Sequence, residues 1–113
     1  MAGAFCEVYG NTIGNMVMEY LLENRGLDFA VGDMAKELGI SRPKAYDVMK
    51  SFEKQGYACK SRVIGKTQLY LLDKGNERVK LFIKSFNECL RIVAEENSAE
   101  ALVAEARKCR RSS

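Results

Sequence analysis

The sequence contains no histidine, and proline occurs once in 113 residues. Without histidine the chain lacks the commonest general base and the commonest metal ligand. It also lacks a long apolar run: nothing approaches the roughly 20 residues of a membrane-spanning helix. The opening residues, Met1-Ala2-Gly3-Ala4-Phe5, show no basic stretch followed by an apolar one. A secretory signal is therefore not expected, and the cytoplasm is the expected compartment. Close cysteine pairs are missing too. Cys6, Cys59, Cys89 and Cys109 all lie more than four positions apart, so no C-x-x-C knuckle exists and no bound zinc is expected. Buried or incidental thiols are the default reading, with two disulfides left open. No nucleophile–base pair, no glycine-rich phosphate loop and no metal cluster can be assembled from the sequence. An enzyme is not expected, and neither is a cofactor.

What is present fits one small globular domain. Hydrophobic residues make up 47% and charged residues 29% of a 12.7 kDa chain. The net charge is only +3, but it is unevenly placed. Between Lys36 and Lys66 there are eight basic residues (Lys36, Arg42, Lys44, Lys50, Lys54, Lys60, Arg62, Lys66) against Glu37, Asp47 and Glu53, a local net of +5. The remainder of the chain is slightly acidic. One segment carries the whole excess, as a polyanion-binding surface would, although a solvated face has the same composition.

Hydrophobic periodicity divides the chain. Asn11-Thr12 is a helix-start signal, followed by a stripe at Ile13, Met16, Val17, Tyr20 and Leu21, with Glu19, Glu23 and Asn24 expected on the opposite side and Gly26 expected as the cap. Phe29-Ala30-Val31 has strand character. A second helix is expected to be capped by Gly32-Asp33, to face inward at Met34, Ala35 and Leu38, and to stop at Gly39. Ser41 is a preferred N-cap, Pro43 suits a first helical turn, and Ala45, Val48, Met49 and Phe52 continue a third helix to Gly56. The period then changes to two. Tyr57–Ile64 and Thr67–Leu72, joined by Gly65-Lys66, predict a β-hairpin. Leu69-Tyr70-Leu71-Leu72 is apolar on both faces, which implies cover on both sides. From Glu77 to Glu96 a long helix carries Val79, Phe82, Ile83, Phe86, Cys89, Leu90 and Val93 at three-four spacing. Asn97-Ser98-Ala99-Glu100 reads as a further helix start, with Leu102, Val103 and Ala106 continuing an apolar face into the basic tail Arg107–Arg111.

Each position between Asp33 and Met49 has a physical task in a helix-turn-helix. Ala35 is small where two helices cross, Gly39 allows the turn, Ile40 plugs the corner, and Ser41 caps the next helix. The third helix is left with a polar face: Arg42, Pro43, Lys44, Tyr46, Asp47 and Lys50. The N-terminal residues of such a helix are the ones that reach base edges in a major groove. Arg42 suits guanine, Tyr46 or Pro43 a thymine methyl, Asp47 a cytosine amino group, and Ser41 with the helix N-terminus a phosphate. Asp47 equally fits an intrahelical pair with Lys44 or Lys50. Lys60 and Arg62, two apart, are expected on one face of the hairpin, with Lys66 at its turn. Such a wing would lie on the backbone or enter the minor groove and mainly position the protein.

These segments, DMAKELGISRPKAYDVMKSFEKQGY and the hairpin end GKTQLYLLDKG, resemble the winged helix-turn-helix domain of small archaeal and bacterial transcription regulators of the broad ArsR and MarR type. The resemblance covers roughly Asn11 to Gly75. It implies a mostly α fold with a small β-hairpin wing, a DNA-binding domain at 11–75, and a C-terminal helical dimerisation extension at 76–113. It also implies a homodimer on a pseudo-palindromic duplex. Where metal-sensing members of that type use cysteine and histidine sites, this chain has no histidine and no close cysteine pair. The stripe of Val79, Phe82, Ile83, Phe86, Leu90 and Val93 is longer than a domain of this size needs, which independently suggests a dimer face; the alternative is a helix packed on its own domain. The expected function is sequence-specific binding of double-stranded DNA in transcription regulation. The competing expectation is a winged helix that serves only protein–protein contact inside a larger assembly.

Overall fold

The computed structural model describes residues 3–102, with side chains as far as Ser98. The element order is α1 (Ala4–Tyr9), α2 (Ile13–Glu23), β1 (Phe29–Ala30), α3 (Val31–Leu38), α4 (Arg42–Lys54), β2 (Ala58–Ile64), β3 (Thr67–Leu72) and α5 (Glu77–Leu102). The expected succession of helix, helix, turn, helix, hairpin and long helix is present, preceded by a short helix that periodicity did not reveal. No helix among the described residues is long and apolar enough to cross a membrane.

The core is built around α2. Thr12 caps it, its hydroxyl accepting from the Asn15 N–H at 3.1 Å. Residues 17–22 are all buried, so α2 is covered nearly all round rather than along one stripe. Glu19 is part of that run, only 7% exposed, and does not lie on a solvent face. The reason is α1, which crosses it. The Glu19 carboxylate accepts the Phe5 N–H at 3.0 Å and the Gly3 N–H at 3.2 Å, satisfying donors that a helix start leaves free. Phe5 and Cys6 of α1 are buried as a result. Asn24, not Gly26, terminates α2: its backbone N–H and its side-chain amide both donate to the Tyr20 carbonyl, the latter at 2.8 Å.

α3 starts two residues earlier than Gly32-Asp33 would place it. Ala30 is its N-cap, and Gly32 and Asp33 lie within its first turn. Gly39 ends it in the left-handed region, with φ of 71°, where glycine carries no steric penalty. Ser41 then caps α4, its hydroxyl accepting from the Lys44 N–H at 3.3 Å, with Pro43 in the first turn. Ala45, Met49 and Phe52 are the buried face of α4.

The hairpin is part of a three-stranded antiparallel sheet in the order β1-β3-β2. Phe29 pairs with Tyr70 and Ala30 with Leu69, so β3 has neighbours on both edges. Leu69 and Leu72 are buried, and Tyr70 and Leu71 half-buried. In β2 the register slips between Lys60 and Val63, opposite Tyr70 and Gln68. This bulge breaks the two-residue alternation on which a shared face for Lys60 and Arg62 depended.

α5 runs unbroken through Asn97-Ser98, where a second helix start was expected. With no proline or glycine there and helix-forming Ala and Glu on either side, an asparagine and a serine are too weak to end it. Its first half completes the core: Val79, Phe86 and Cys89 are buried, and Tyr57 packs edge-on against Phe82 with ring centroids 5.3 Å apart. Val79 and Phe86 thus face this chain's own interior and are not open to a second copy. Phe82 and Ile83 are half-buried against the same core, whereas Leu90 is 46% exposed and Val93 is half-buried beyond it. One cluster spans Phe5 to Cys89, so helical bundle and wing share a single interior. Val103, Ala106, Cys109 and the tail Arg107–Arg111 lie outside the described residues.

Candidate nucleic-acid interface

The helical period of α4 sorts its exposed side chains into two flanks. Arg42 and Tyr46, four apart, share one; Lys44 and Asp47, three apart, share the other. The structure separates them accordingly. Arg42 and Tyr46 line a cleft of about 350 Å³ together with Ala30, Gly32 and Asp33 at the start of α3, and with Lys66, Thr67 and Gln68 at the hairpin turn. Lys44 and Asp47 instead line a shallower groove of about 360 Å³ against Ile13 and Gly14 of α2. Ser41, Pro43 and Lys50 are exposed on the same helix.

The start of α4 and the tip of the hairpin therefore meet across one cleft. Neither element does this alone. Gly65, with φ of 62°, makes the two-residue turn that sets Lys66 at the cleft. Val63 and Ile64, beside the turn, are both more than half exposed.

Electrostatics distinguishes free cations from engaged ones. Arg62 does not extend freely from the wing. Its Nε donates to Asp28 Oδ2 at 2.8 Å, and Ser61 Oγ donates to the same oxygen at 2.7 Å. The Arg62 guanidinium beside Asp28, with the Ser61 hydroxyl, holds the Asp28 carboxyl below the usual aspartate range. Arg62 is thus the strut that fixes the wing to the segment entering β1, a role that sequence reading missed because its partner lies 34 residues away. Lys60 leans towards Glu53 of α4, at 4.0 Å, and remains 59% exposed at its side chain.

Arg42 differs from both. Arg25 donates to the Leu22 carbonyl, Arg78 to the Tyr57 hydroxyl, and Arg91 to Glu88 and Glu95. Among the described residues, Arg42 is the one arginine without a hydrogen-bond partner. A guanidinium with all five donors unused suits bidentate acceptors: a guanine edge or a phosphate. Tyr46, 44% exposed, stands next to it with an aromatic face and a hydroxyl. The cleft also holds an acid, Asp33, which makes no ion pair within 4.0 Å among the described residues. Asp47 likewise pairs with neither Lys44 nor Lys50. Gly32 and Asp33 were read from the sequence as a helix cap and Thr67 and Gln68 as strand, none of them as part of an interface; a glycine in the first turn of a helix, where it is unfavourable, was the available signal.

Among the described residues, no thiol lines this cleft. Cys6 and Cys89 are buried, and burial pushes the Cys6 thiol up to about 12. Cys59 is exposed on β2, away from the cleft's lining.

No protein-family model and no curated protein sequence matches this chain. Solved structures do. The adhesin competence repressor AdcR of Streptococcus pyogenes superposes with a TM-score of 0.59 at 18% identity, over 80% of this chain and 64% of the repressor. This chain therefore spans slightly less than two-thirds of that repressor's length. Staphylococcus aureus MepR, in complex with DNA, superposes with a TM-score of 0.60 at 12% identity, over 92% of this chain and 84% of MepR. The homodimeric winged helix-turn-helix DNA-binding domain Mb0332 of Mycobacterium bovis gives a TM-score of 0.53 at 18% identity, over 86% and 81%. The fold of this chain is that of a winged helix-turn-helix with a long C-terminal helix.

Proposed function

We propose that this chain is a sequence-specific, double-stranded DNA-binding transcription regulator that acts as a homodimer and is not an enzyme. The observation that carries the reading is the shared cleft: Arg42 and Tyr46 at the start of α4 and Lys66 at the wing turn face one space. A duplex seated there presents its major-groove edges to Arg42 and Tyr46 and its backbone to Lys66. A module that served only protein contact would have no need to set an unpaired arginine and a wing-tip lysine side by side. MepR and Mb0332, whose folds match, are described respectively in complex with DNA and as a DNA-binding domain, which supports the same reading. Ser41, Pro43, Lys44, Asp47, Lys50 and Lys60 form the margin of the interface, while Arg62 contributes through the position of the wing.

The dimer face proposed here is the distal part of α5. Leu90 and Val93 continue the three-four stripe past the core, and Ile83 and Phe82 border it. Pairing with a two-fold mate would bury this surface and place two α4 helices along one duplex. The reading puts the protein's place of work in the cytoplasm, with its DNA. The test is duplex binding by gel shift across a salt series. Binding is expected to weaken with a log–log slope of about −0.9 per phosphate contacted; binding that is absent, or indifferent to salt, would contradict the proposal.

A further inference from the structure

The first turn of α3 holds a glycine, Gly32, in a position where helix propensity favours almost any other residue. Its φ is not in the left-handed region, so backbone conformation does not require glycine there. What requires it is space. A Cβ built on Gly32 would overlap Arg42 Nη2 and would lie 3.1 Å from Arg42 Nε and 3.2 Å from Arg42 Cζ. All three nearest atoms belong to one guanidinium. The Arg42 head group rests on the bare backbone of Gly32, at the mouth of the cleft it shares with Tyr46 and Lys66.

We infer that Gly32 is a positioning residue that sets DNA specificity: its missing side chain is the seat that holds the Arg42 guanidinium towards the duplex. The inference rests on the duplex-binding reading above and adds to it a residue on a different helix. An unrestrained arginine loses much side-chain freedom when it docks on a base edge. A planar guanidinium already laid against a backbone is partly ordered before DNA arrives. A methyl group at Gly32 would push a flexible head group aside, because the three atoms nearest to it all belong to the far end of the Arg42 side chain. The helix itself would gain, since alanine is the better helix former. Glycine at position 32 thus costs helix propensity and leaves the seat open.

The experiment is a double-mutant cycle on the full chain: wild type, Gly32→Ala, Arg42→Ala and the pair. Duplexes selected from a random pool by the wild type serve as probe, and thermal unfolding is measured alongside. Arg42→Ala is expected to weaken binding to the selected duplex by roughly 5- to 150-fold. Gly32→Ala is expected to weaken it by a comparable factor and to relax preference at the same base pair, with an unfolding temperature at or above that of the wild type. The double variant should be no worse than Arg42→Ala alone. Multiplicative losses in the double variant, unchanged affinity in Gly32→Ala, or a lowered unfolding temperature would each overturn the inference. If the wild type selects no duplex, the duplex reading itself fails; the seat is then judged by the Arg42 Nε NMR signal, which must still move in Gly32→Ala.

Discussion

Arg42, Lys66 and Arg62 are all cations of the basic segment, yet the structure gives each a different occupation. Arg42 is unpaired at the cleft, Lys66 sits at its far side, and Arg62 is bound to Asp28. The first two predictions separate reading from positioning. Arg42→Ala should cost about 1–3 kcal/mol on the preferred duplex and relax choice at one base pair. Lys66→Ala should weaken all duplexes about equally and flatten the salt slope by about one unit, as a lost phosphate contact does. Competition gel shifts on matched and scrambled duplexes check both; a uniform loss for Arg42→Ala would show that it does not read bases. A third prediction concerns the wing strut. The hydrogen bonds from Arg62 and Ser61 favour ionised Asp28 and depress its folded-state pKa. The stability this contributes is full above the unfolded aspartate value of about 4 and is lost as pH falls through the lower folded value. Amide NMR signals of Ser61 and Arg62 should therefore hold their native positions down to about pH 4 and move only below it; movement beginning near pH 6 would contradict the tether. Ser41, Gly39 and Pro43 were legible in sequence because capping and turn chemistry act within three or four residues. The Asp28–Arg62 pair and the Gly32 seat were not, because each joins residues that only the folded chain brings together.

At the scale of elements, the helix-turn-helix and the hairpin were readable from period and punctuation, and their boundaries agree within two residues. α1 was not readable. Six residues are too few to establish a helical period, and the helix is held from outside by Glu19. That dependence is testable. Glu19→Ala leaves the Gly3 and Phe5 N–H groups without their acceptor and should destabilise the fold by about 1–3 kcal/mol. Hydrogen exchange should localise the loss to α1 and the α5 surface it covers. Equal protection of α1 in wild type and variant would show that the carboxylate does not hold it. α5 divides in a way that the sequence stripe concealed. Hydrophobic spacing marks a face but not which neighbour covers each part of it, so Val79 and Phe86 read the same as Leu90 and Val93. Only the latter pair extends past the core. Introducing Leu90→Glu with Val93→Glu should lower the mass by light scattering to that of one chain without lowering helix content; a variant that keeps its mass would remove distal α5 from the interface.

For the whole molecule, one interior joins the α1–α5 bundle to the sheet, so the cleft between α4 and the wing is fixed by the same packing that stabilises the chain. A net charge of +3 says little about a partner; a +5 segment folded so that Arg42 and Lys66, 24 positions apart in sequence, meet across one cleft says much more. The resemblance to small regulators was legible in the helix-turn-helix and wing residues, and the superpositions with AdcR, MepR and Mb0332 bear out the fold at identities of 12–18%. The most direct test of the central claim is a titration of isotope-labelled protein with a selected duplex, followed by NMR. Signals of α4 from Ser41 to Asp47 and of the turn from Ile64 to Thr67 should shift together along one saturation curve. Shifts confined to α5, or to only one of those two segments, would contradict the account.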